Sequence, residues 1–127
     1  LFNAGVGRCD LGVEPHVMYK TFVEQIFPLA DAARIFPGHD YIANNLLFTL
    51  DREPENEAAT ALLAEFRAGL DAETYVSTMA REREFNVFFR PGQQRVREGV
   101  AASLGLDAGA LDDESTFVGL RQLRNDW

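Results

Sequence analysis

The sequence predicts an α/β region followed by a region that contains helices only. Two observations support this fold class. First, a strand signal at Ile35-Phe36 is followed by a glycine turn and then by an apolar helical stripe that begins at Ile42. Second, the chain after Pro54 carries apolar residues at helical spacing, interrupted by turn residues. We therefore expect an α/β fold that becomes all-α toward its C-terminus.

The first region contains an opening strand, a helix, a second strand and a second helix. Leu1 to Ala4 is largely apolar and precedes a glycine turn, which favours a strand. Pro15 suits the first position of a helix, and Pro28 ends that helix. With the second strand and the helix after it, these elements define a predicted unit over residues 1–52.

The second region, residues 53–127, carries several helix signals with recognisable ends. Proline and acidic residues mark helix starts, Ser and Thr supply capping hydroxyls, and glycines mark helix ends. The predicted boundary residues are Pro54, Gly69, Ser77-Thr78, Gly105 and the run from Asp112 to Ser115.

Composition excludes some classes of protein. A chain of 127 residues is long enough for a hydrophobic core. The net charge of −8 argues against a nucleic-acid partner. No apolar run approaches the roughly 18 residues of a membrane span. The single cysteine, Cys9, excludes an internal disulfide and is typical of the reducing cytoplasm, where we expect the protein to reside.

The chain is apolar from its first residue and does not begin with methionine. Because termini normally lie at the surface, this start predicts the second part of a longer polypeptide. We expect Leu1, Phe2, Ile35 and Phe36 to contact something outside the chain, since unpaired strand edges favour association. The candidates are the missing N-terminal part of the same polypeptide and another copy of the chain.

Two histidines are present, and they lie in different contexts. His39 lies in the turn between a strand and a helix, where α/β folds place catalytic and metal-binding side chains. It is a structural residue or a ligand, and one imidazole cannot hold a catalytic metal, because zinc sites need three or more protein ligands. His16 follows Pro15 on a predicted helix, so we expect a surface or partly packed residue.

Arginines dominate the basic residues, and many lie late in the chain. They are interpreted either as solvated helix faces or as binding residues for an anionic ligand. The late cluster comprises Arg81, Arg83, Arg90, Arg95, Arg97, Arg121 and Arg124. Cys9 has two interpretations as well: a reactive thiol, because Arg8 beside it favours the thiolate, or a small buried residue.

Five segments, taken in order, resemble the second half of glyoxalase II. These enzymes are hydroxyacylglutathione hydrolases of the metallo-β-lactamase fold. The resemblance covers nearly the whole chain, and the patterns GHDYxxNNLxF and STxxxExxxNxFxR are its most specific parts. The segments are LFNAGVGRC, a helix containing MY, ARIFPGHDYIANNLLFTLDREPEN, STMAREREFNVFFR and LRQLRNDW.

The resemblance implies a fold, a reaction and a cofactor. Residues 1–52 would be the last part of an αββα sandwich, and residues 53–127 a helical substrate-recognition domain. The whole protein would hydrolyse S-acylglutathione thioesters with two divalent metal ions: zinc, or iron or manganese as alternatives. His39 corresponds to the last metal-binding histidine of the family. The remaining ligands would precede Leu1, so the chain alone is expected to be inactive.

The resemblance also implies a binding site for a glutathione-like thioester. Arg8 and Tyr41 match residues that contact the glutathione moiety. Arg121 and Arg124 match a basic pair on one face of the last helix, which an anion clamp needs. The alternative interpretation is structural: both arginines are solvated and complement the helix dipole at the end of the last helix.

Two departures from the family pattern keep alternatives open. Cys9-Asp10 replaces an aromatic pair, and a carboxylate at Asp10 would repel a carboxylate of the ligand unless it pairs with Arg8. The GRxD arrangement is also similar to that of persulfide dioxygenases, iron enzymes of the same fold. A non-catalytic module that binds anionic thiols is the third alternative.

Overall fold

A computed structural model describes residues 1–9 and 12–127 of the chain. This part of the chain is mostly helical. The helices are α1 (Pro15–Thr21), which continues as a π-helical turn (Phe22–Ile26), α2 (Ile42–Arg52), α3 (Glu57–Arg67), α4 (Met79–Phe85), α5 (Gln94–Leu104) and α6 (Asp113–Asp126), with 3-10 turns at Val87–Phe89 and Ala108–Ala110. Two short strands, β1 (Arg34–Ile35) and β2 (Ser77–Thr78), pair antiparallel. None of these helices is long and apolar enough to cross a membrane.

The helix ends follow the local signals in the sequence. Pro15 is the first residue of α1, as predicted. The Thr78 hydroxyl accepts a hydrogen bond from the backbone of α4, and Gly105 ends α5 in the left-handed conformation. Asp112 and Ser115 form a reciprocal capping box at the start of α6. These predictions are confirmed because each depends on residues within one helical turn.

The predicted opening strand is wrong. Residues 2–7, which we call the opening turn, reverse the chain, and the Gly5 N–H donates to the Phe2 carbonyl at 3.2 Å. Ala4, at the centre of this reversal, has φ of 56°. A strand needs a neighbouring strand for its backbone groups, and the described part of the chain offers none here.

The second predicted strand exists, but it is shifted by one residue and has a partner within the chain. Ile35 pairs with Ser77, so a segment of the predicted helical region completes a two-stranded sheet. Ile35 is buried at 6% exposure. Its expected contact outside the chain is therefore wrong. Leu1 and Phe36 are exposed, at 43% and 67%, and Phe2 is half-buried. The outside contacts of these three residues stay a prediction.

Two apolar clusters form the core, and the aromatic segment Phe85–Phe89 contributes to both. The first cluster contains Val6, Phe22, Phe48, Val87, Phe88, Val96, Val100, Phe117 and Leu120. The second contains Ala4, Ile42, Leu46, Ala59, Leu62, Leu63 and Phe85. Each cluster draws residues from both sides of residue 52, so the two predicted units pack closely against each other. The division between them stays a prediction.

Helices α2 and α5 approach closely at one glycine. A Cβ added at Gly99 would lie 2.0 Å from the Arg52 carbonyl oxygen. This distance is far inside van der Waals contact, so only glycine fits at position 99. The contact fixes the C-terminal end of α2, the helix whose first turns line the cleft described next.

Candidate functional site

An open cleft of about 590 Å³ lies between the opening turn, the loop after β1, and helices α2 and α6. It contains all five side chains that the sequence predicts for metal or substrate binding. The described lining residues are Phe2, Val6, Gly7, Arg8, His39, Tyr41, Asn44, Asn45, Arg121, Arg124 and Asn125. The fold therefore brings together residues that are more than a hundred positions apart in the chain.

The cleft is cationic although the chain as a whole is acidic. Three guanidinium groups, from Arg8, Arg121 and Arg124, line it, and no Asp or Glu is among its described lining residues. Partial burial lowers the pKa of Arg124, and the positive charge of Arg8 lowers it further. Like charges held together in this way favour the binding of an anion.

His39 lies at the rim of the cleft, in the turn between β1 and α2. It is exposed, and its ring stacks on Tyr41 with centroids 5.4 Å apart. Tyr41 in turn packs on Phe2 of the opening turn, with centroids 5.4 Å apart. The strand–turn–helix arrangement predicted around His39 is thus observed, and the imidazole is accessible instead of buried in the core.

Arg121 is almost completely buried, at 2% exposure. Its Nη1 donates to the Gly7 carbonyl at 2.9 Å and to the Val6 carbonyl at 3.4 Å, and its Nη2 donates to Asn125 Oδ1 at 2.8 Å. The alternative of a solvated helix residue is therefore wrong for Arg121. Its guanidinium fixes the end of the opening turn, next to Arg8.

Arg124 is partly buried and faces the cleft. Its Nη2 donates to Asn45 Oδ1 at 3.2 Å, and its guanidinium lies 5.4 Å from the Trp127 ring centroid and 5.7 Å from that of Phe48. These contacts orient the side chain but supply no negative charge. Among the described residues, Arg124 has no carboxylate partner.

Sequence reasoning missed Asn45 as a site residue. Asn45 is buried on α2, accepts from Arg124, and donates from Nδ2 to the Asn3 carbonyl at 3.0 Å. A Cβ at Gly5 would lie 2.5 Å from Asn45 Nδ2, so the opening turn approaches this amide closely. The available signal was a polar residue on the apolar face of a helix, three positions after Ile42.

The side chains that the structure describes do not form a metal site by themselves. Within residues 1–9 and 12–127, no group of three His, Cys, Asp or Glu side chains is placed to hold a metal ion. His39 offers one imidazole, whereas catalytic zinc sites use three protein ligands. A metal at His39 would need ligands other than these residues.

Most of the late arginines are ion-paired and do not reach the cleft. Arg81 pairs with Glu84, Arg83 with Asp31, Arg90 with Glu53, Arg95 with Glu55 and Arg97 with Asp113. Only Arg121 and Arg124 of that cluster line the cleft.

The other residues singled out in the sequence lie away from the chemistry proposed below. His16 is exposed, and its Nδ1 lies 2.9 Å from Glu114 Oε1. Cys9 is buried, with its Sγ 3.8 Å from Met18 Sδ. The predicted effect of Asp10 on a ligand carboxylate falls outside the described residues.

Most of the chain matches a known protein family. The family model described as "Hydroxyacylglutathione hydrolase C-terminus" matches residues 40–127. This match includes Tyr41, Asn45 and both cleft arginines of α6, and it begins one residue after His39.

Similar proteins are named hydroxyacylglutathione hydrolase. The one from Nitrosococcus oceani is 45% identical over 127 residues, which is 100% of this chain and 48% of the relative. The one from Polaromonas sp. is 42% identical over 100% of this chain and 48% of the relative. The one from Anaeromyxobacter dehalogenans is 40% identical over 98% of this chain and 49% of the relative. The chain thus spans about half the length of the relatives it matches. The chain belongs to the hydroxyacylglutathione hydrolase C-terminus family.

Proposed function

We propose that the protein to which this chain belongs hydrolyses hydroxyacylglutathione thioesters to a hydroxy acid and glutathione. The observation that carries this proposal is the cationic cleft, which is lined by the guanidinium groups of Arg8, Arg121 and Arg124. Glutathione carries two carboxylate groups, so a positively charged cleft is complementary to it. The names of the relatives, which are hydrolases, favour this reaction over that of a persulfide dioxygenase.

Each cleft residue has a role in this proposal. Arg8 and Arg124 bind carboxylates of glutathione, because charge-assisted hydrogen bonds from guanidinium to carboxylate are strong and directional. The Tyr41 hydroxyl contacts the glutathione backbone. Arg121 uses hydrogen bonds to Val6 and Gly7 to hold the turn that carries Arg8.

We infer that His39 supplies one ligand to a pair of divalent metal ions, with zinc, iron and manganese as the candidates. The other ligands would lie outside this chain, since the described residues do not complete a site. Held in part by His39, such ions would activate water and polarise the thioester carbonyl. In this arrangement residues 1–52 complete a metallo-β-lactamase-type sandwich whose remaining part covers Leu1 and Phe36. The protein acts in the cytoplasm.

The test uses the full-length protein. We expect it to hydrolyse S-lactoylglutathione, to lose this activity on treatment with a chelator, and to regain it when divalent metal is restored. The 127-residue chain alone should show no hydrolysis above background.

Arg8→Met tests the role of the cleft in substrate binding. Its control is Arg95→Met, because the Arg95 guanidinium pairs with Glu55 outside the cleft. The first should raise the KM for the thioester and the second should not. A full-length protein that binds glutathione but hydrolyses none of its thioesters would favour the non-catalytic binding module.

A further inference from the structure

The opening turn carries the residues that shape one wall of the cleft. It ends at Gly7, directly before Arg8, and its Val6 and Gly7 carbonyls accept from Arg121. Its Asn3 carbonyl accepts from Asn45, the residue that also orients Arg124. The positions of Arg8, Arg121 and Arg124 therefore all depend on the shape of this turn.

The shape of the turn is unfavourable for its own sequence. Ala4 has φ of 56°, the left-handed region in which a Cβ clashes with the following carbonyl. Ala4 is also fully buried. Such a conformation persists only when the surroundings hold it in place, and these conformations concentrate at functional sites.

Glu82 of α4 supplies the contact that holds Ala4. Its Oε2 accepts the Ala4 N–H at 2.9 Å and the Asn86 amide at 2.8 Å. The same Asn86 amide lies 3.4 Å from the Gly5 carbonyl, so the pair contacts both sides of the reversal.

Burying a carboxyl group to accept this hydrogen bond costs free energy. Glu82 is fully buried, and its second oxygen, Oε1, has no hydrogen-bond partner among the described residues. Burial raises the pKa of Glu82 to about 7, against the opposing effect of the hydrogen bonds from Asn86 and Ala4 and the charge of Arg81. An apolar residue would avoid this penalty, but it could not accept a hydrogen bond from the Ala4 N–H.

We propose that Glu82 is a positioning residue for the cleft. By accepting the Ala4 N–H it holds the opening turn in its left-handed shape, which delivers Arg8 to the cleft and the Val6 and Gly7 carbonyls to Arg121. This inference rests on the proposed function for its kinetic readout only. The carboxyl group makes no contact with the ligand and takes no part in the chemical step.

The test compares four variants of the full-length protein. Glu82→Leu removes the acceptor, Glu82→Gln keeps it, and Glu84→Leu is a control on the exposed face of the same helix. Glu82→Leu combined with Ala4→Gly removes the acceptor but places at position 4 a residue that adopts the left-handed conformation freely.

We expect Glu82→Leu to raise the KM for S-lactoylglutathione by about tenfold, with kcat within about twofold of wild type, because distant binding is shared by ground and transition states. The KM values of Glu82→Gln and Glu84→Leu should stay within about twofold of the wild-type value, by the same principle. Adding Ala4→Gly to Glu82→Leu should recover a substantial part of the lost affinity, because the two residues act on one turn.

Amide hydrogen exchange of residues 3–7 gives a readout independent of the substrate. Protection there should fall in Glu82→Leu and persist in Glu82→Gln. If Glu82→Leu does not fold, Glu82→Asp takes its place, because the shorter side chain withdraws the carboxylate from Ala4.

Three outcomes would overturn the proposal: an unchanged KM in Glu82→Leu, equal losses in the Leu and Gln variants, or no recovery on adding Ala4→Gly. If wild type hydrolyses no thioester, the proposed function fails, while hydrogen exchange still decides whether Glu82 holds the turn.

Discussion

The helices after residue 53 and the opening turn are stabilised in different ways. The starts of α3, α4 and α6 are each capped by a side chain within the same turn, as Asp112 and Ser115 show at α6. The opening turn instead depends on Asn45, Glu82 and Arg121, which are 42, 78 and 114 positions from their acceptors or donors in the turn. One region is determined locally, and the other is determined by the packed fold.

This difference explains how the cleft is built. Its cationic wall is not a contiguous motif, because Arg8 reaches the cleft only when the opening turn has docked on helices that lie later in the chain. The helices therefore form a scaffold, and the turn is the part of the site that the scaffold shapes. Perturbing each region should have distinguishable consequences.

The largest expected effect comes from breaking the helical scaffold at Gly99. Gly99→Ala would place a Cβ 2.0 Å from the Arg52 carbonyl oxygen, so α2 and α5 must separate. We expect the free energy of unfolding of the full-length protein to fall by about 3 kcal/mol, measured by urea denaturation. The matched control is Ser103→Ala on the exposed side of the same helix, which should change stability little. A Gly99→Ala protein as stable as wild type would contradict the close approach of the two helices.

The second effect concerns the pH dependence of the contact between the scaffold and the turn. The pKa of Glu82 is raised from 4.5 to about 7 in the folded protein, chiefly by burial. Its stabilising contribution is therefore fully present below about pH 4.5 and is lost as the pH rises through about 7, because only the folded state favours the neutral acid.

We expect Glu82→Gln, which stays neutral, to gain stability relative to wild type as the pH rises from 4.5 to 7, by at most about 3 kcal/mol. The measurement is the difference between the two free energies of unfolding at each pH, which cancels the titration of the other acids. A difference independent of pH would show that Glu82 titrates normally.

The same contrast explains which features were predictable from sequence. The starts of α1, α4 and α6 and the end of α5 were predicted because capping residues, Pro and Gly act within a few positions. The five cleft residues were predicted through a resemblance to a family, and the structure brings them together. Asn45 and Glu82 were missed as determinants of the site, since nothing local distinguishes a buried polar residue that packs within the core from one that shapes a cleft.

The errors have the same origin. The opening segment was predicted as a strand because its residues are apolar and precede glycines, which is also the composition of a buried turn. β2 was missed because Ser77 and Thr78 also suit a helix cap, and Thr78 does cap α4. Arg121 was paired with Arg124 by helical spacing, but spacing does not distinguish a buried arginine from an exposed one.

The third effect separates these two arginines. Arg121→Met removes the donor to the Gly7 carbonyl, so we expect both a rise in KM for S-lactoylglutathione and a loss of about 2 kcal/mol in the free energy of unfolding. Arg124→Met should leave stability nearly unchanged and raise KM by about tenfold, the loss of about 1.4 kcal/mol of binding. Steady-state kinetics and urea denaturation of both variants provide the test. Similar stability losses in the two variants would show that Arg124 is also a structural residue.

The smallest effect compares two left-handed residues, one from each region. Gly105 ends α5 with φ of 68° and a Cβ there meets nothing within 4 Å, so Gly105→Ala should lose only about 1 kcal/mol, from backbone conformation alone. Ala4 adopts the same conformation with φ of 56°, yet Ala4→Gly should gain less than Gly105→Ala loses, because the buried methyl group is also removed. Free energies of unfolding for both variants decide the comparison. If Ala4→Gly gained as much free energy of unfolding as Gly105→Ala loses, or more, the Ala4 methyl group would contribute nothing to packing. The left-handed conformation of the opening turn would then cost more than the hydrogen bond from Ala4 to Glu82 accounts for.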